Sequence, residues 1–178
     1  MLSFTRDEKE AIYKAIGLRR DIRSFRPDPL PEEAIQRILL AGHMAPSVGF
    51  MQPWNYILIE DEETKEKLAY AAEKETRALA IHYENMEEKH DLFLKLKVQG
   101  LKEAPLTICV TCDPTRGGSH VLGRNSIPET DIMSTSCAIQ NMWLAATAEG
   151  IAMGWVSFYK KNDVRDILEI PAPLLSSF

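Results

Sequence analysis

The apolar positions of the first segment recur at helical spacing. Between Thr5 and Leu18, residues Ala11, Ile12, Ala15 and Ile16 share one side of a 3.6-residue period, which predicts an amphipathic helix. A second helix is predicted from Pro31, a residue tolerated in a first helical turn. Glu32 and Glu33 suit its positive end, and Ala34, Ile35, Ile38, Leu39 and Gly42 form its apolar face. Trp54 to Ile59 is short, aromatic and β-branched and reads as a strand, as does Pro105 to Cys112. Ala152 to Phe158 reads as a third strand, and Asn162 to Ile170 as a short helix opened by an Asn or Asp cap.

The intervening segments differ in kind. His43 to Pro53 and Asp113 to Thr130 are loops rich in small residues, glycine and proline. Asp61 to Gly100 is highly charged and helical in pattern, with Leu68, Ala71, Ala72, Leu79, Met86, Leu92 and Leu96 among its apolar positions but no sustained heptad. It predicts one or two helices, and residues 61–103 are expected to form a helical lid. Asp131 to Gly150 is apolar almost all round, so it must be buried on more than one side; in a chain this small that predicts a central helix shared with a partner subunit. Gly150 is its expected stop. Helices and strands mix without regular βαβ alternation, and no repeat or linker divides the chain. The expectation is one α+β domain over residues 1–178.

Composition excludes several classes. The chain of 178 residues is 45% hydrophobic and 26% charged, as ordinary globular domains are. A formal charge of -5 argues against non-specific nucleic-acid binding, which needs a basic face. No apolar run approaches the roughly 20 residues of a membrane span, and the N-terminus lacks the form of a signal peptide. Three cysteines do not make a disulfide framework. Cys109 and Cys112 have C-x-x-C spacing but sit on a predicted strand, where residues three apart face opposite sides. A cytoplasmic location is expected. His82, Glu84 and His90 do not fall on one helical face, so no metal site is expected.

Candidate chemistry starts at Arg19-Arg20-Asp21-Ile22-Arg23, followed by the proline-broken turn Arg26-Pro27-Asp28-Pro29. Three guanidiniums within five residues can clamp a phosphate, because arginine presents planar donor pairs that match phosphate oxygens. The plainer reading is a helix C-terminus carrying cations that suit its dipole. Two further segments decide between them when read jointly with the first: Ala45-Pro46-Ser47-Val48-Gly49-Phe50-Met51-Gln52-Pro53-Trp54 and Gly150-Ile151-Ala152-Met153-Gly154-Trp155-Val156-Ser157.

In this order the three segments resemble the flavin-dependent nitroreductase superfamily. Asp21, where most members carry serine, and Phe50, near which most carry asparagine, make the chain similar to one branch, the 5,6-dimethylbenzimidazole synthases. Thr111 to Gly118 and Trp155-Val156-Ser157 are similar to the same branch. The resemblance runs from about Ala15 to Ile170. It implies a central mixed β-sheet flanked by helices, in an intertwined homodimer with FMN at the interface. It also implies oxygen-dependent fragmentation of reduced FMN, both cofactor and substrate, to 5,6-dimethylbenzimidazole (the lower ligand of vitamin B12) and erythrose 4-phosphate. Dioxygen is then the co-substrate, and a separate flavin reductase supplies the reduced FMN.

Roles carry over by position. The resemblance assigns Arg19, Arg20 and Arg23 to the FMN phosphate and ribityl oxygens. Pro46, Ser47, Val48 and Phe50 lie against the isoalloxazine from the opposite protomer. Lys97, with Lys95 as its rival, is placed at the reduced flavin's N1 and C2 oxygen, and Val156 and Ser157 face N5. Asp21 and Ser157 match the two catalytic positions: base or proton relay for Asp21, positioning of the oxygen adduct for Ser157. Phe25 and Trp143 read as packing residues. Members of the family continue past Ile170-Pro171 with another strand and an arm that crosses to the partner. That strand and arm are apparently absent here, which is expected to weaken the dimer and FMN affinity. Two alternatives stay open: an NAD(P)H-dependent nitroreductase-like oxidoreductase, and a non-catalytic flavin-binding protein.

Overall fold

A computed structural model describes residues 3–80 and 100–177. Helix α1, Arg6–Leu18, opens on a capping box. The Thr5 hydroxyl accepts from the Glu8 amide at 3.3 Å, and the Glu8 carboxylate accepts from the Thr5 amide at 2.7 Å. Helix α2, Glu32–His43, starts after Pro31 and buries Ala34, Ile38 and Gly42, the face expected from its spacing. A 3₁₀ turn, Val48–Phe50, leads to strand β1, Trp54–Ile59, and then to helix α3, Glu62–Ala80. After the short helix α4, Gly100–Glu103, come β2, Thr107–Cys112, and helix α5, Thr130–Ala148. Helix α6, Lys161–Ile167, and strand β3, Leu175–Ser177, complete the order. Among the described residues no helix is long and apolar enough to cross a membrane.

The three strands lie in the order β1-β2-β3 with antiparallel neighbours. Trp54 stands opposite Cys112 and Ile59 opposite Thr107. On one side of the sheet Trp54 and Val110 pack with Ala138 and Ile139 of α5; on the other, Ile59 and Cys109 pack with Leu68 of α3 and Val164 of α6. This alternation separates the C-x-x-C pair. Cys109 sits in the α3/α6 layer, and Cys112 meets the Thr135 side chain of α5. Burial pushes the Cys109 thiol up to about 12 and raises that of Cys112 as well. Both stay protonated and unreactive near neutrality.

Helix α5 packs on α2, β2 and α1 and buries Ala138, Ile139, Met142, Trp143 and Ala146, yet Ile132, Met133 and Cys137 remain exposed. It ends at Gly150, whose φ of 73° allows the Ile151 amide to reach the Ala146 carbonyl at 2.8 Å and the Gly150 amide that of Thr147 at 3.2 Å. Helix α1 buries no residue, and Ile12, Tyr13, Ile16 and Leu18 are exposed.

Three expectations need correction. Ala152 to Phe158 is not a strand. Apart from a parallel bridge from Met153 to Asp21, it carries no regular secondary structure. The Ile22 amide donates to the Met153 carbonyl at 3.0 Å, and a side chain pairs with the Trp155 amide in place of a ladder carbonyl. Helix α6 is entered through Lys160 without a side-chain cap, so Asn162 and Asp163 lie inside its first turn rather than before it. The C-terminal residues Leu175–Ser177 do form a strand, which pairs with Val110 to Cys112. His82, Glu84, His90, Lys95, Lys97 and much of the expected lid lie outside the described residues.

One packing detail gives a stability prediction. A Cβ at Gly42 would stand 2.5 Å from the Tyr56 hydroxyl and 2.6 Å from Met142, so α2 can approach β1 and α5 this closely only with glycine there. The Tyr56 hydroxyl is buried there without a hydrogen-bond partner. Burial of such a group is unfavourable. Tyr56→Phe is therefore expected to leave stability unchanged or raise it by up to about 1 kcal/mol in urea titrations. A loss of that size would mean the hydroxyl has a partner.

Candidate functional site

The arginine motif begins where α1 ends. Arg19 is the C-cap of α1, and its amide still bonds to the Ala15 carbonyl. Its guanidinium lies over the Trp143 ring, 4.8 Å from the centroid. Arg20 turns back over the helix end, with Nη1 donating to the carbonyls of Gly17 at 2.7 Å and Arg19 at 2.8 Å. This is the dipole-matching arrangement that the plainer sequence reading foresaw, and it applies to Arg20 alone.

Asp21 ties the motif to the glycine-rich segment. Its Oδ1 accepts from the Trp155 amide at 2.8 Å, and its Oδ2 accepts from Arg23 Nε at 2.8 Å and pairs with Nη2 at 2.6 Å. The two segments meet this closely because residue 154 is glycine: any Cβ there would collide with the Ile22 carbonyl oxygen. Asp21 is thereby held to Trp155, two residues before Ser157, and both Asp21 and Ser157 are exposed. Val156 is half-buried. Arg23 and Val156 also line a largely apolar cavity of about 470 Å³, walled by Ile22, Phe25, Leu30, Ile38, Leu101 and Met153 among others. Asp21 and Ser157 do not line it.

The second candidate segment lies elsewhere. Pro46 is exposed, and Ser47 starts the turn over Val48–Phe50. The Val48 amide donates to Ser134 near the N-terminus of α5 at 3.2 Å, and the Gln52 amide to the Ser47 hydroxyl at 3.0 Å. Gly49, Phe50 and Gln52 have φ values of 58°, 52° and 44°. Left-handed backbone at two non-glycine residues is strain that the surroundings must hold. The Phe50 ring, 81% exposed, projects from this turn. Ser134 and Trp143 lie on the same helix about two and a half turns apart, roughly 13 Å. Within one chain the turn and the arginine motif thus meet opposite halves of α5.

The holding device is a pair of arginines that sequence reasoning did not single out. Arg124 donates from Nε to both Asp131 oxygens at 3.1 and 3.0 Å, from Nη1 to Gly118 at 2.8 Å, and from Nη2 to the Arg116 carbonyl at 2.8 Å. Arg116 in turn donates to the carbonyls of Gln52 at 3.0 Å and Trp54 at 3.1 Å, and to the Asn55 side chain. Loop 113–130 is thereby fastened to the turn that carries Phe50. The only sequence signal was Arg116 inside the run Thr111 to Gly118.

The donor set fits a phosphorylated flavin. The contacts described commit Nη1 of Arg20 and Nε and Nη2 of Arg23, which leaves further N–H groups on both and the in-plane donors of Arg19. Comparison with known proteins agrees. Residues 16–177 match the sequence profile of the nitroreductase family. A 5,6-dimethylbenzimidazole synthase of Rhodospirillum rubrum is 38% identical over 168 residues, which cover 94% of this chain and 77% of that protein. The 5,6-dimethylbenzimidazole synthase of Rhodobacter capsulatus is 34% identical over 170 residues, 96% of this chain and 81% of that one. In fold the chain is similar to an iodotyrosine deiodinase bound to FMN and 3-iodo-L-tyrosine, with a TM-score of 0.77 at 20% identity over 93% of this chain and 86% of the other. A BluB-like flavoprotein of Clostridium difficile gives a TM-score of 0.72 at 20% identity and the same coverage.

Proposed function

The chain belongs to the nitroreductase family, and from that premise we propose that it is a flavin-dependent enzyme that fragments reduced FMN with dioxygen to 5,6-dimethylbenzimidazole and erythrose 4-phosphate. The observation that carries this reading is the junction of Asp21 with the Trp155 amide. It ties the carboxylate of the arginine motif to the segment that carries Ser157, in a chain 38% identical to a synthase of that product.

Reduced FMN would supply the electrons and the carbon skeleton, dioxygen, the co-substrate, would accept the electrons, and the pyrimidine side of the ring system would leave as a third fragment. Arg19, Arg20 and Arg23 bind the phosphate and ribityl oxygens through charge-assisted hydrogen bonds. Asp21, held by a backbone amide rather than by a flexible contact, removes or relays a proton on the ribityl side. Ser157 orients oxygen, and Val156 walls the ring. Pro46, Ser47, Val48 and Phe50 complete the site from a second copy of the chain, since within one copy their turn meets α5 roughly 13 Å from where Arg19 meets it. The exposed apolar residues of α1 and the exposed Ile132 and Met133 of α5 supply the surface for that homodimer. Lys97 is proposed for the flavin's N1 and C2 oxygen. A separate flavin reductase and a cytoplasmic setting belong to the same reading.

The test is direct. Anaerobically reduced FMN is mixed with the protein, air is admitted, and the products are read by mass spectrometry. The expected result is 5,6-dimethylbenzimidazole. Intact FMN as the sole flavin species overturns the proposal. Steady NAD(P)H oxidation with a nitroaromatic acceptor, without the benzimidazole, moves the chain to the ordinary nitroreductases.

A further inference from the structure

Trp143 was read from the sequence as core, and it is buried, at 7% exposure. Its contacts go further than packing. The ring carries the Arg19 guanidinium at 4.8 Å and stands 6.3 Å from the ring of Trp155, tilted by 57°. Trp155 in turn gives its amide to Asp21. One side chain of α5 thus touches both the arginine motif and the segment that ends at Ser157.

The three arginines of the motif are held in different ways. Arg20 bonds to carbonyls of its own helix end, and Arg23 pairs with Asp21. Arg19 is held over the face of the Trp143 ring, with Cζ 4.8 Å from its centroid. That difference matters chemically, because a cation–π contact restrains the guanidinium without engaging a hydrogen-bond acceptor. Its N–H donors stay available to an oxyanion. Arg19 also sits at a helix end, where a long side chain would otherwise sample many rotamers. Among the aromatic side chains, a tryptophan ring within about 6 Å is the best partner for such a cation.

We propose that Trp143 is a positioning residue that holds Arg19 oriented for the flavin's phosphate, so that recognition of the phosphorylated cofactor depends on the π face of residue 143. The proposal rests on the flavin reading above. It goes beyond it by assigning phosphate discrimination to a buried aromatic that does not itself touch the ligand.

The experiment compares FMN with riboflavin, which lacks the phosphate, by equilibrium dialysis with the full chain. The wild type is expected to prefer FMN. Trp143→Leu is expected to lower that preference about tenfold and to leave riboflavin affinity nearly unchanged, whereas Trp143→Phe retains most of the preference. A role in packing alone would weaken both ligands together. Should Trp143→Leu fail to fold, site-specific incorporation of mono-, di- and trifluorotryptophan at 143 tests the same point at nearly constant shape. Each fluorine weakens the ring's attraction for a cation, and the FMN preference is expected to fall stepwise. A preference unchanged in Trp143→Leu, or flat across the fluorinated series, overturns the proposal while the flavin site stands. A wild type that binds neither ligand overturns the flavin reading, and this proposal with it.

Discussion

Asp21→Asn is expected to keep FMN bound and to lower the yield of 5,6-dimethylbenzimidazole by about 10²- to 10⁴-fold, the range usual for loss of a positioned base. The structure gives the reason the two effects separate. Oδ1 of Asp21 accepts from the Trp155 amide, and an asparagine carbonyl can accept the same bond. The bridge between residues 21 and 153 and the close contact at Gly154 can therefore survive. What is lost is the charge and with it the pairing to Arg23. Arg23 is then released toward the phosphate, so flavin affinity should hold or rise. Dialysis measures the affinity and mass spectrometry the yield. An unchanged yield would remove Asp21 from the chemistry; loss of flavin binding would make it a structural residue.

The largest stability effect is expected at Arg124. Asp131 is 4% exposed, and Arg124 is its ion-pair partner across 3.0 Å. Arg124→Met would leave that carboxylate buried without its cation, and would strip the Gly118 and Arg116 carbonyls of a donor. Breaking one side of a buried pair typically costs about 3–5 kcal/mol, because the remaining charge stays desolvated. Urea denaturation of Arg124→Met should show a loss of that size. Arg124→Met with Asp131→Asn should lose less than the two single changes together, since the orphaned charge is gone. A loss below about 1 kcal/mol for the single variant would mean that water or another group satisfies Asp131.

Much of the scaffold was legible because its signals are local. Ala34, Ile38 and Gly42 share the face of α2 that is buried, Gly150 ends the helix that it was expected to end, and Trp54 to Ile59 shows strand chemistry within six residues. The error at Ala152 to Phe158 came from the same kind of signal. Its β-branched and aromatic residues favour extended backbone, but they do not determine whether a neighbouring strand is present. Here the neighbour is a two-residue stretch of the arginine motif and a carboxylate. The site motifs were readable one at a time. Their juxtaposition was not, since the Asp21–Trp155 bond spans 134 residues and hangs on the lack of a Cβ at Gly154. Arg124 and Asp131 were missed because a loop, without periodicity, separates them, and Trp143 because burial accounted for it.

The placement of the two proposed half-sites on opposite halves of α5 has a consequence for how the protein behaves on dilution. If a flavin is gripped by the arginine motif of one copy and the Phe50 turn of another, every bound flavin is also a cross-link between copies. Flavin affinity and self-association are then one linked equilibrium, so each ligand molecule strengthens assembly and each assembly step strengthens ligand binding. Turnover per chain would fall as the protein is thinned out and recover when flavin is added. A cell could set its output by how much of the chain it makes.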